Sequence, residues 1–184
     1  MSDITAKSSL QDVCFAVCTA LDQVGTIAVL TGGSAATYYA PRAYQSEDAD
    51  FIITFKSDPI AAAAAVRQLG YSSRGGTYKH ASNPFTLEFP PGPLAIGDEL
   101  ITEYDTIRRE DRMLHLLSRT DCTRDRLASF YFFDDRSALA AAIAVASTGK
   151  IDLRKIERCS IKEGQSYRFA EFRDSLIPSA PYPR

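Results

Sequence analysis

Apolar residues recur every three to four positions across Ser8–Gln23, which is the spacing of one face of a helix. A helix is therefore predicted there, and Ser8 or Ser9 can accept hydrogen bonds from its first free amides. The β-branched run Thr26–Thr31 follows and predicts a short buried strand. Two glycines break this strand, and Ser34–Tyr39 is predicted as a short helix because a proline follows it closely.

The next two segments continue the alternation of strand and helix. Asp48–Phe55 (DADFIITF) is rich in β-branched and aromatic residues and predicts a strand. Ile60–Leu69 is rich in alanine and predicts a helix. Asp58 is its predicted N-cap, Pro59 its first residue, and Gly70 lies just past its end.

Strand patterns then extend to residue 117. Tyr71–His80 and Pro84–Phe89 each predict one strand, and a proline-rich cluster at residues 90–93 ends the second. Ile101–Arg109 and Arg112–Leu117 are predicted to pair as a hairpin across a two-residue turn.

Beyond residue 117 the patterns become helical. Asp121 and Asp152 are candidate N-caps, and Gly149 and Gly164 separate the later helices. The predicted fold class is therefore α/β, of the α+β kind: a mixed β-sheet flanked by helices, with a C-terminal helical region. The four predicted helices of that region are Asp121–Phe133, Ser137–Ser147, Asp152–Ser160 and Gln165–Leu176.

The predicted organisation has three parts. Residues 1–118 form the sheet-containing catalytic region, and residues 119–176 form a helical bundle packed on it. Residues 177–184 contain three prolines and are predicted to form an extended tail.

Composition and charge narrow the class of protein. The 184 residues are 45% hydrophobic and 24% charged, as expected of a globular domain with a real core. A net charge of -2 argues against general affinity for polyanions. The N-terminus lacks a basic segment leading into an apolar one, and long uninterrupted apolar runs are missing from the sequence. We therefore expect a cytoplasmic protein without a membrane partner.

The two glycines after the first strand suggest phosphate binding. Gly32 and Gly33 let backbone amides approach a ligand without an intervening Cβ, and the start of the following helix adds partial positive charge. Ser34 can supply a hydroxyl donor.

Three acidic residues suggest a metal site. Asp48 and Asp50 stand two positions apart on a predicted strand, so they project from the same face and can chelate one or two Mg²⁺ or Mn²⁺ ions. Glu88 lies in an apolar strand context, where an isolated acid needs a compensating partner. A site of this kind would clamp an attacking oxygen and a leaving pyrophosphate, with Asp50 and Glu88 positioning or deprotonating the acceptor hydroxyl.

Each of these features alone is more often structural than functional. A Gly-Gly-Ser turn is usually only a turn, and two aspartates on a strand are often a solvated edge. The prediction depends on their order along the chain: strand, Gly-Gly-Ser, short helix, Asp-x-Asp strand, alanine-rich helix, and a later acidic strand.

This order resembles the nucleotidyltransferase superfamily of the DNA polymerase β type. The motif hG[GS] matches Leu30-Thr31-Gly32-Gly33-Ser34, the Dh[DE]h strand matches Asp48-Ala49-Asp50-Phe51, and the third acid is Glu88. The chain is also similar to minimal bacterial nucleotidyltransferases of abortive-infection and toxin-antitoxin systems. Their helical motif with Lys-Leu-x-Ala is echoed around Arg126-Leu127-Ala128, where arginine replaces the lysine and can hold a phosphate.

The resemblance implies a nucleotidyltransferase fold and an enzyme. It would transfer a nucleoside monophosphate from ATP or another nucleoside triphosphate (NTP) to a hydroxyl on RNA such as tRNA, on a protein or on a small molecule, with Mg²⁺ or Mn²⁺ as cofactor. The alternative is a non-catalytic nucleotide-binding or protein-interaction module, and the oligomeric state stays open. The implied catalytic and metal residues are Asp48, Asp50 and Glu88, and the implied nucleotide-binding residues are Gly32, Gly33, Ser34, Lys79 and Arg126.

Two further groups of residues have alternative interpretations. The arginines between Arg108 and Arg126 can line a groove for RNA, or pair with the acids of the same span, which we favour. The tyrosines at 38, 39 and 44 can stack on a base, but packing against the sheet is the commoner case. Phe130, Tyr131, Phe132 and Phe133 are predicted to be core residues.

Overall fold

The computed structural model describes residues 4–176. The tail predicted at residues 177–184 lies outside the described residues. Within 4–176 the elements follow the predicted order closely.

Residues 10–68 form the first three helices and the first two strands. Ser9 caps α1 through a capping box with Asp12, as predicted for Ser8 or Ser9, and Asp58 caps α3 by accepting the amide hydrogens of Ile60 and Ala61. The elements are α1 (Leu10–Asp22), β1 (Thr26–Leu30), α2 (Gly32–Tyr39), β2 (Asp48–Lys56) and α3 (Pro59–Gln68).

Seven short strands and four helices complete the described chain. The strands are β3 (Tyr71–Arg74), β4 (Thr77–His80), β5 (Thr86–Glu88), β6 (Ala95–Ile96), β7 (Glu99–Leu100), β8 (Asp105–Arg109) and β9 (Arg112–Leu116). The helices are α4 (Arg119–Phe133), α5 (Arg136–Ser147), α6 (Leu153–Lys162) and α7 (Ser166–Leu176).

The main sheet has seven strands in the order β3-β4-β5-β2-β1-β9-β8. β1 is parallel to β9 and β2 is parallel to β5, whereas the other neighbours are antiparallel. α1 packs on β1 and β9, while α2 packs on β2 and also contacts α4 and α5. The structure is thus the predicted mixed sheet flanked by helices with a C-terminal helical region, and β2 lies between β1 and β5 near the centre of the sheet.

Two apolar cores hold these layers together. The larger core joins the helices to the sheet and includes Ala49 and Phe51, both fully buried. The smaller core lies among α4, α5, α6 and α7 around Phe130 and Phe172. Because Cys122 of α4 belongs to the larger core, the helical region packs directly on the sheet region.

Three local predictions are wrong. The strand predicted at Tyr71–His80 is a hairpin of β3 and β4, because Gly75 and Gly76 adopt positive φ angles of 61° and 92° and turn the chain. α4 is capped by Ser118, whose side chain accepts the amide hydrogen of Asp121, so Asp121 lies in the first turn. The two glycines predicted as a turn are the first two residues of α2.

Among residues 4–176, none of the helices has both the length and the apolar character needed to span a bilayer.

Candidate metal centre

Three carboxylates meet on one face of the sheet. Asp48 and Asp50 are two residues apart on β2, so their side chains project from the same face. The parallel register of β2 and β5 places Glu88 directly beside Asp50. One oxygen from each of the three side chains lies within 4.8 Å of the others, and all three residues are half-buried. The structure therefore brings together the three acids singled out in the sequence, in an arrangement of hard oxygen donors that suits Mg²⁺ or Mn²⁺.

The first glycine of α2 lies against this cluster. Gly32 has a φ of 63°, and a Cβ added there would lie 2.5 Å from Oδ2 of Asp50. The amide of Thr31 donates to the backbone carbonyl of Asp50 at 2.9 Å, which fixes the start of α2 beside β2. Only glycine permits this close approach of backbone to carboxylate.

Gly33 faces the segment between α2 and β2. A Cβ at Gly33 would lie 3.0 Å from both the Ser46 Oγ and the Tyr44 hydroxyl oxygen. The backbone at the start of α2 is therefore enclosed by Tyr44 and Ser46 on one side and by Asp50 on the other.

The hydroxyl group of Ser34 links β2 to the start of α2 through two hydrogen bonds. Its hydroxyl donates to the carbonyl of Thr31 at 2.9 Å and accepts the amide hydrogen of Asp50 at 3.1 Å. The side chain is buried, so a phosphate oxygen would have to compete with the Thr31 carbonyl for the hydroxyl hydrogen. The structure gives Ser34 a role in positioning Asp50, and its contact with a phosphate stays a prediction.

Ser46 holds Asp48 in a similar way. Its hydroxyl donates to Oδ1 of Asp48 at 2.8 Å, and its amide donates to the Thr37 hydroxyl at 2.8 Å. The Thr37 hydroxyl donates in turn to the carbonyl of Gly33 at 3.0 Å. This network was not identified from the sequence, although a serine two positions before a strand aspartate is the signal that points to it.

The surroundings of Asp50 disfavour the charged form of its carboxyl group. Burial is the main cause, the neighbouring carboxylates of Asp48 and Glu88 add to it and Arg126 opposes it, and together they raise the pKa of Asp50 to about 7. A bound divalent cation would relieve the same repulsion, so the electrostatics of the cluster also fit a metal site.

α4 contributes a cation and a fourth acid to this region. Arg126 donates through Nε at 3.1 Å and through a terminal nitrogen at 2.7 Å to Oδ2 of Asp125. Burial disfavours the charged form of Arg126, but the Asp125 carboxylate keeps the pKa of the guanidinium raised. Both residues act on the pKa of Asp50, which Arg126 lowers and Asp125 raises. Asp125 was not among the predicted site residues, because neighbouring opposite charges on a helix usually form a surface pair.

Lys79 lies outside the carboxylate cluster, two strands away from β2. It is exposed on β4, and β5 separates β4 from β2. The pairing of Tyr78 with Leu87 puts Lys79 on the same face of the sheet as the carboxylates. Its contact with a nucleotide stays a prediction.

Two arginines of the arginine-rich span, Arg124 and Arg126, pair with acids of the same span, Asp121 and Asp125, as we favoured. Arg124 forms ion pairs of 2.7 Å with both Asp121 and Glu99, and Arg109 lies 3.7 Å from Asp12. The guanidinium of Arg119 stacks over the ring of Tyr39, with its carbon 4.4 Å from the ring centroid.

The aromatic run of α4 is only partly buried. Phe130 and Tyr131 lie in the core as predicted, but Phe132 and Phe133 are 52% and 82% exposed. The core prediction is wrong for these two residues, because four consecutive positions cover all sides of a helix and only part of α4 faces the bundle.

We expect Mg²⁺ to stabilise the protein more at about pH 8 than at about pH 5. The folded chain holds a proton on Asp50 more tightly than the unfolded chain does, so stability without metal falls as pH rises from about 4 to about 7. Below about pH 7 the proton on Asp50 competes with the metal. Urea unfolding with and without Mg²⁺ at the two pH values measures the difference, and an equal or larger effect at pH 5 would contradict it.

Ser46→Ala is expected to weaken binding of a metal-nucleotide complex by about tenfold, as loss of a residue that orients a metal ligand commonly does. The variant removes the donor to Oδ1 of Asp48. Isothermal titration of Mg²⁺ and an NTP measures the affinity. Ser46→Thr keeps a hydroxyl and is the control, and equal affinities for wild type and Ser46→Ala would show that Asp48 is oriented without this bond.

The similarity of this chain to known proteins is limited. Protein-family models give no match to the chain, and no curated protein matches it significantly. Among solved structures, the chain is similar to a solution structure of the antibiotic-resistance factor ANT(2'')-Ia, at 14% identity over 88% of this chain and 95% of that one, with a TM-score of 0.48. It is also similar to a crystal structure of ANT(2'')-Ia in complex with adenylyl-2''-tobramycin, at 16% identity over 88% and 95% of the two chains, with a TM-score of 0.46.

Proposed function

We propose that this chain is a divalent-metal-dependent nucleotidyltransferase, which moves a nucleoside monophosphate from an NTP onto a hydroxyl group. The observation that carries this proposal is the cluster of Asp48, Asp50 and Glu88, whose oxygens lie within 4.8 Å of one another beside the glycine start of α2. Metal ligands beside helix-terminal backbone amides that have no acceptor within the helix are what a triphosphate requires.

The start of α2 is assigned to the phosphates. The amides of Gly32 and Gly33 belong to the first turn of a helix, where they have no acceptor within the helix. Arg126 of α4 adds a positive charge that acts on Asp50, and a guanidinium binds phosphate oxygens through two donors. The triphosphate would thus be held between α2 and α4.

The carboxylates of Asp48 and Asp50 are assigned to hold Mg²⁺ or Mn²⁺, with Glu88 beside them. The metal, when bound, supplies positive charge that stabilises the transferring phosphoryl group and the leaving pyrophosphate. Ser46 fixes the Asp48 carboxylate and Ser34 fixes the backbone of Asp50, so these ligands are oriented in advance.

Glu88 is assigned to accept the proton of the acceptor hydroxyl. It lies at the end of β5, directly beside Asp50, and is half-buried. The acceptor oxygen attacks the α-phosphorus, the bond to the pyrophosphate breaks, and the proton passes to a Glu88 oxygen. The acceptor belongs to an RNA, a protein or a small molecule, and a toxin-like role is one form of this activity.

An assay with the four α-³²P-labelled NTPs tests the proposal. Each NTP is incubated with Mg²⁺ or Mn²⁺ and with tRNA, cell-lysate protein or a small-molecule extract in turn, and Asp48→Ala is the inactive control. Label transferred to one acceptor class by the wild type alone supports the proposal. NTP binding without transfer to any acceptor would favour a non-catalytic nucleotide-binding module, and the absence of both binding and transfer would overturn the proposal.

A further inference from the structure

Tyr44 places a phenol hydroxyl group at the glycine start of α2. A Cβ added at Gly33 would lie 3.0 Å from the hydroxyl oxygen of Tyr44 and 3.3 Å from Cε1 of its ring. Because glycine has no Cβ, the hydroxyl group can lie this close to the backbone of the first helical turn. Tyr44 therefore lies beside the turn whose amides are assigned to the phosphates.

The same hydroxyl group is close to the carboxylates. The point that is 3.0 Å from the Tyr44 oxygen is also 3.0 Å from the Ser46 Oγ, and Ser46 donates to Oδ1 of Asp48 at 2.8 Å. The preceding residue, Gly32, lies against Oδ2 of Asp50. The phenol hydroxyl thus lies in the small region where the start of α2 meets both aspartates of β2.

The hydroxyl group of Tyr44 has a hydrogen left to donate. Within residues 4–176 the backbone amide of Tyr44 donates to the carbonyl of Ala40 at 3.0 Å, but its hydroxyl group forms no hydrogen bond. The two serine hydroxyls of the site donate within the protein, Ser34 to a backbone carbonyl and Ser46 to Asp48. A half-buried donor without a partner is unfavourable, and phosphate oxygens are strong acceptors.

The ring of Tyr44 is held in place. It is half-buried and packs against the larger core. The loop that carries it is tied to the end of α2, since Gln45 donates through its side chain to the carbonyl of Pro41 at 2.5 Å. A donor on such a ring loses little conformational entropy when it binds a ligand.

We propose that the Tyr44 hydroxyl group donates a hydrogen bond to the phosphate group of the NTP that binds at the start of α2. This inference rests on the proposed function, which assigns that phosphate to the amides of Gly32 and Gly33. The contact is made to the phosphate and not to the metal ligands, so it contributes to phosphate affinity and leaves the affinity for the free metal ion unchanged. It differs from base stacking because it requires the hydroxyl oxygen and not only the ring.

The test uses Tyr44→Phe, which keeps the ring and removes only a hydroxyl group without a partner in the protein, so the fold should survive. Isothermal titration measures the Kd of Mg²⁺-tripolyphosphate, and a second titration measures the Kd of Mn²⁺ alone. Loss of a hydrogen bond to a charged group is expected to raise the Kd of Mg²⁺-tripolyphosphate by about tenfold. The Kd of Mn²⁺ and the Tm should stay unchanged.

Tyr78→Phe is the matched control. Tyr78 is also half-buried, but it pairs with Leu87, so its side chain lies on the face of the sheet opposite to Glu88. This variant also loses one phenol hydroxyl group, and it should bind Mg²⁺-tripolyphosphate and Mn²⁺ as the wild type does.

The outcomes separate the role of Tyr44 from the proposed function. A wild type that does not bind Mg²⁺-tripolyphosphate overturns the proposed function and the role of Tyr44 with it. If the wild type binds this ligand, an unchanged or lower Kd in Tyr44→Phe overturns the role of Tyr44 alone. An equal rise in the Kd of Mn²⁺ also overturns it, because the hydroxyl group would then act on the metal ligands through Ser46. An equal loss of affinity in Tyr78→Phe would do the same, since the effect would not depend on the position of the hydroxyl group.

Discussion

Asp50→Asn is expected to abolish Mg²⁺-dependent NTP binding and to lower the transfer rate by about 100-fold or more, since a metal ligand contributes several kcal/mol. Asn removes the charge of a carboxylate that has an oxygen within 4.8 Å of oxygens of both Asp48 and Glu88. Asp48→Ala should have the same effect on activity. Titration calorimetry and the labelled-NTP assay measure the two losses.

The same change should stabilise the metal-free chain. The rise in the pKa of Asp50 from 3.8 to about 7 means that the folded structure destabilises the charged carboxylate by at most about 4 kcal/mol at neutral pH. Solvent screening reduces this free-energy cost. We therefore expect Asp50→Asn to raise the free energy of unfolding at about pH 8 in EDTA by about 1–2 kcal/mol, measured by urea unfolding. The gain should vanish near pH 4, where the wild-type carboxyl is also neutral.

Asp58→Asn is the matched control for both measurements. Asp58 caps α3 away from the cluster, and asparagine caps a helix about as well as aspartate. This variant should keep its metal binding and its stability. Full Mg²⁺-dependent transfer by Asp50→Asn would show that the metal is held elsewhere.

Gly32→Ala is expected to destabilise the fold by about 1–3 kcal/mol and to abolish metal binding. Alanine at a φ of 63° is strained, and its Cβ would lie 2.5 Å from Oδ2 of Asp50. The carboxylate must therefore move out of the cluster. Thermal unfolding with and without Mg²⁺ measures both effects.

Gly75→Ala separates backbone strain from displacement of the carboxylate. Gly75 has a nearly identical φ of 61°, but it lies in the turn between β3 and β4, where an added Cβ would meet no atom within 4 Å. Its variant should lose a similar amount of backbone stability and keep the Mg²⁺-induced shift in Tm. If Gly32→Ala keeps that shift as well, the Cβ does not disturb Asp50.

Much of the fold could be predicted because local patterns agree with it. The spacing of apolar residues located α1, and Asp58, Pro59 and Gly70 located α3 to within a residue at each end. The hairpin at Gly75-Gly76 was missed although the sequence carries its signal: a Gly-Gly pair between two short strand patterns marks a tight turn. Phe133 was misplaced because hydrophobicity predicts burial but not the side of α4 that has a partner.

The candidate site was predictable where it depends on strand alternation. Asp48 and Asp50 are two residues apart on one strand, so they share a face in any register. The position of Glu88 depends instead on the pairing of β5 with β2, which could not be predicted from the sequence. Asp125 and the hydroxyl network of Ser46 were missed because both depend on contacts between elements that are distant in sequence or on side-chain rotamers.

The parallel pairing of β1 with β9 has a consequence for the order of folding. Val29 pairs with His115 and Leu30 with Leu116, so the strand that leads into the glycines of α2 gains its second neighbour from almost half a chain away. Closing such a long loop is slow, and β9 leaves the ribosome well after β1. We expect the centre of the sheet, which supports Asp50, to be completed late during synthesis. Until β9 has been made, one edge of β1 has no strand to pair with.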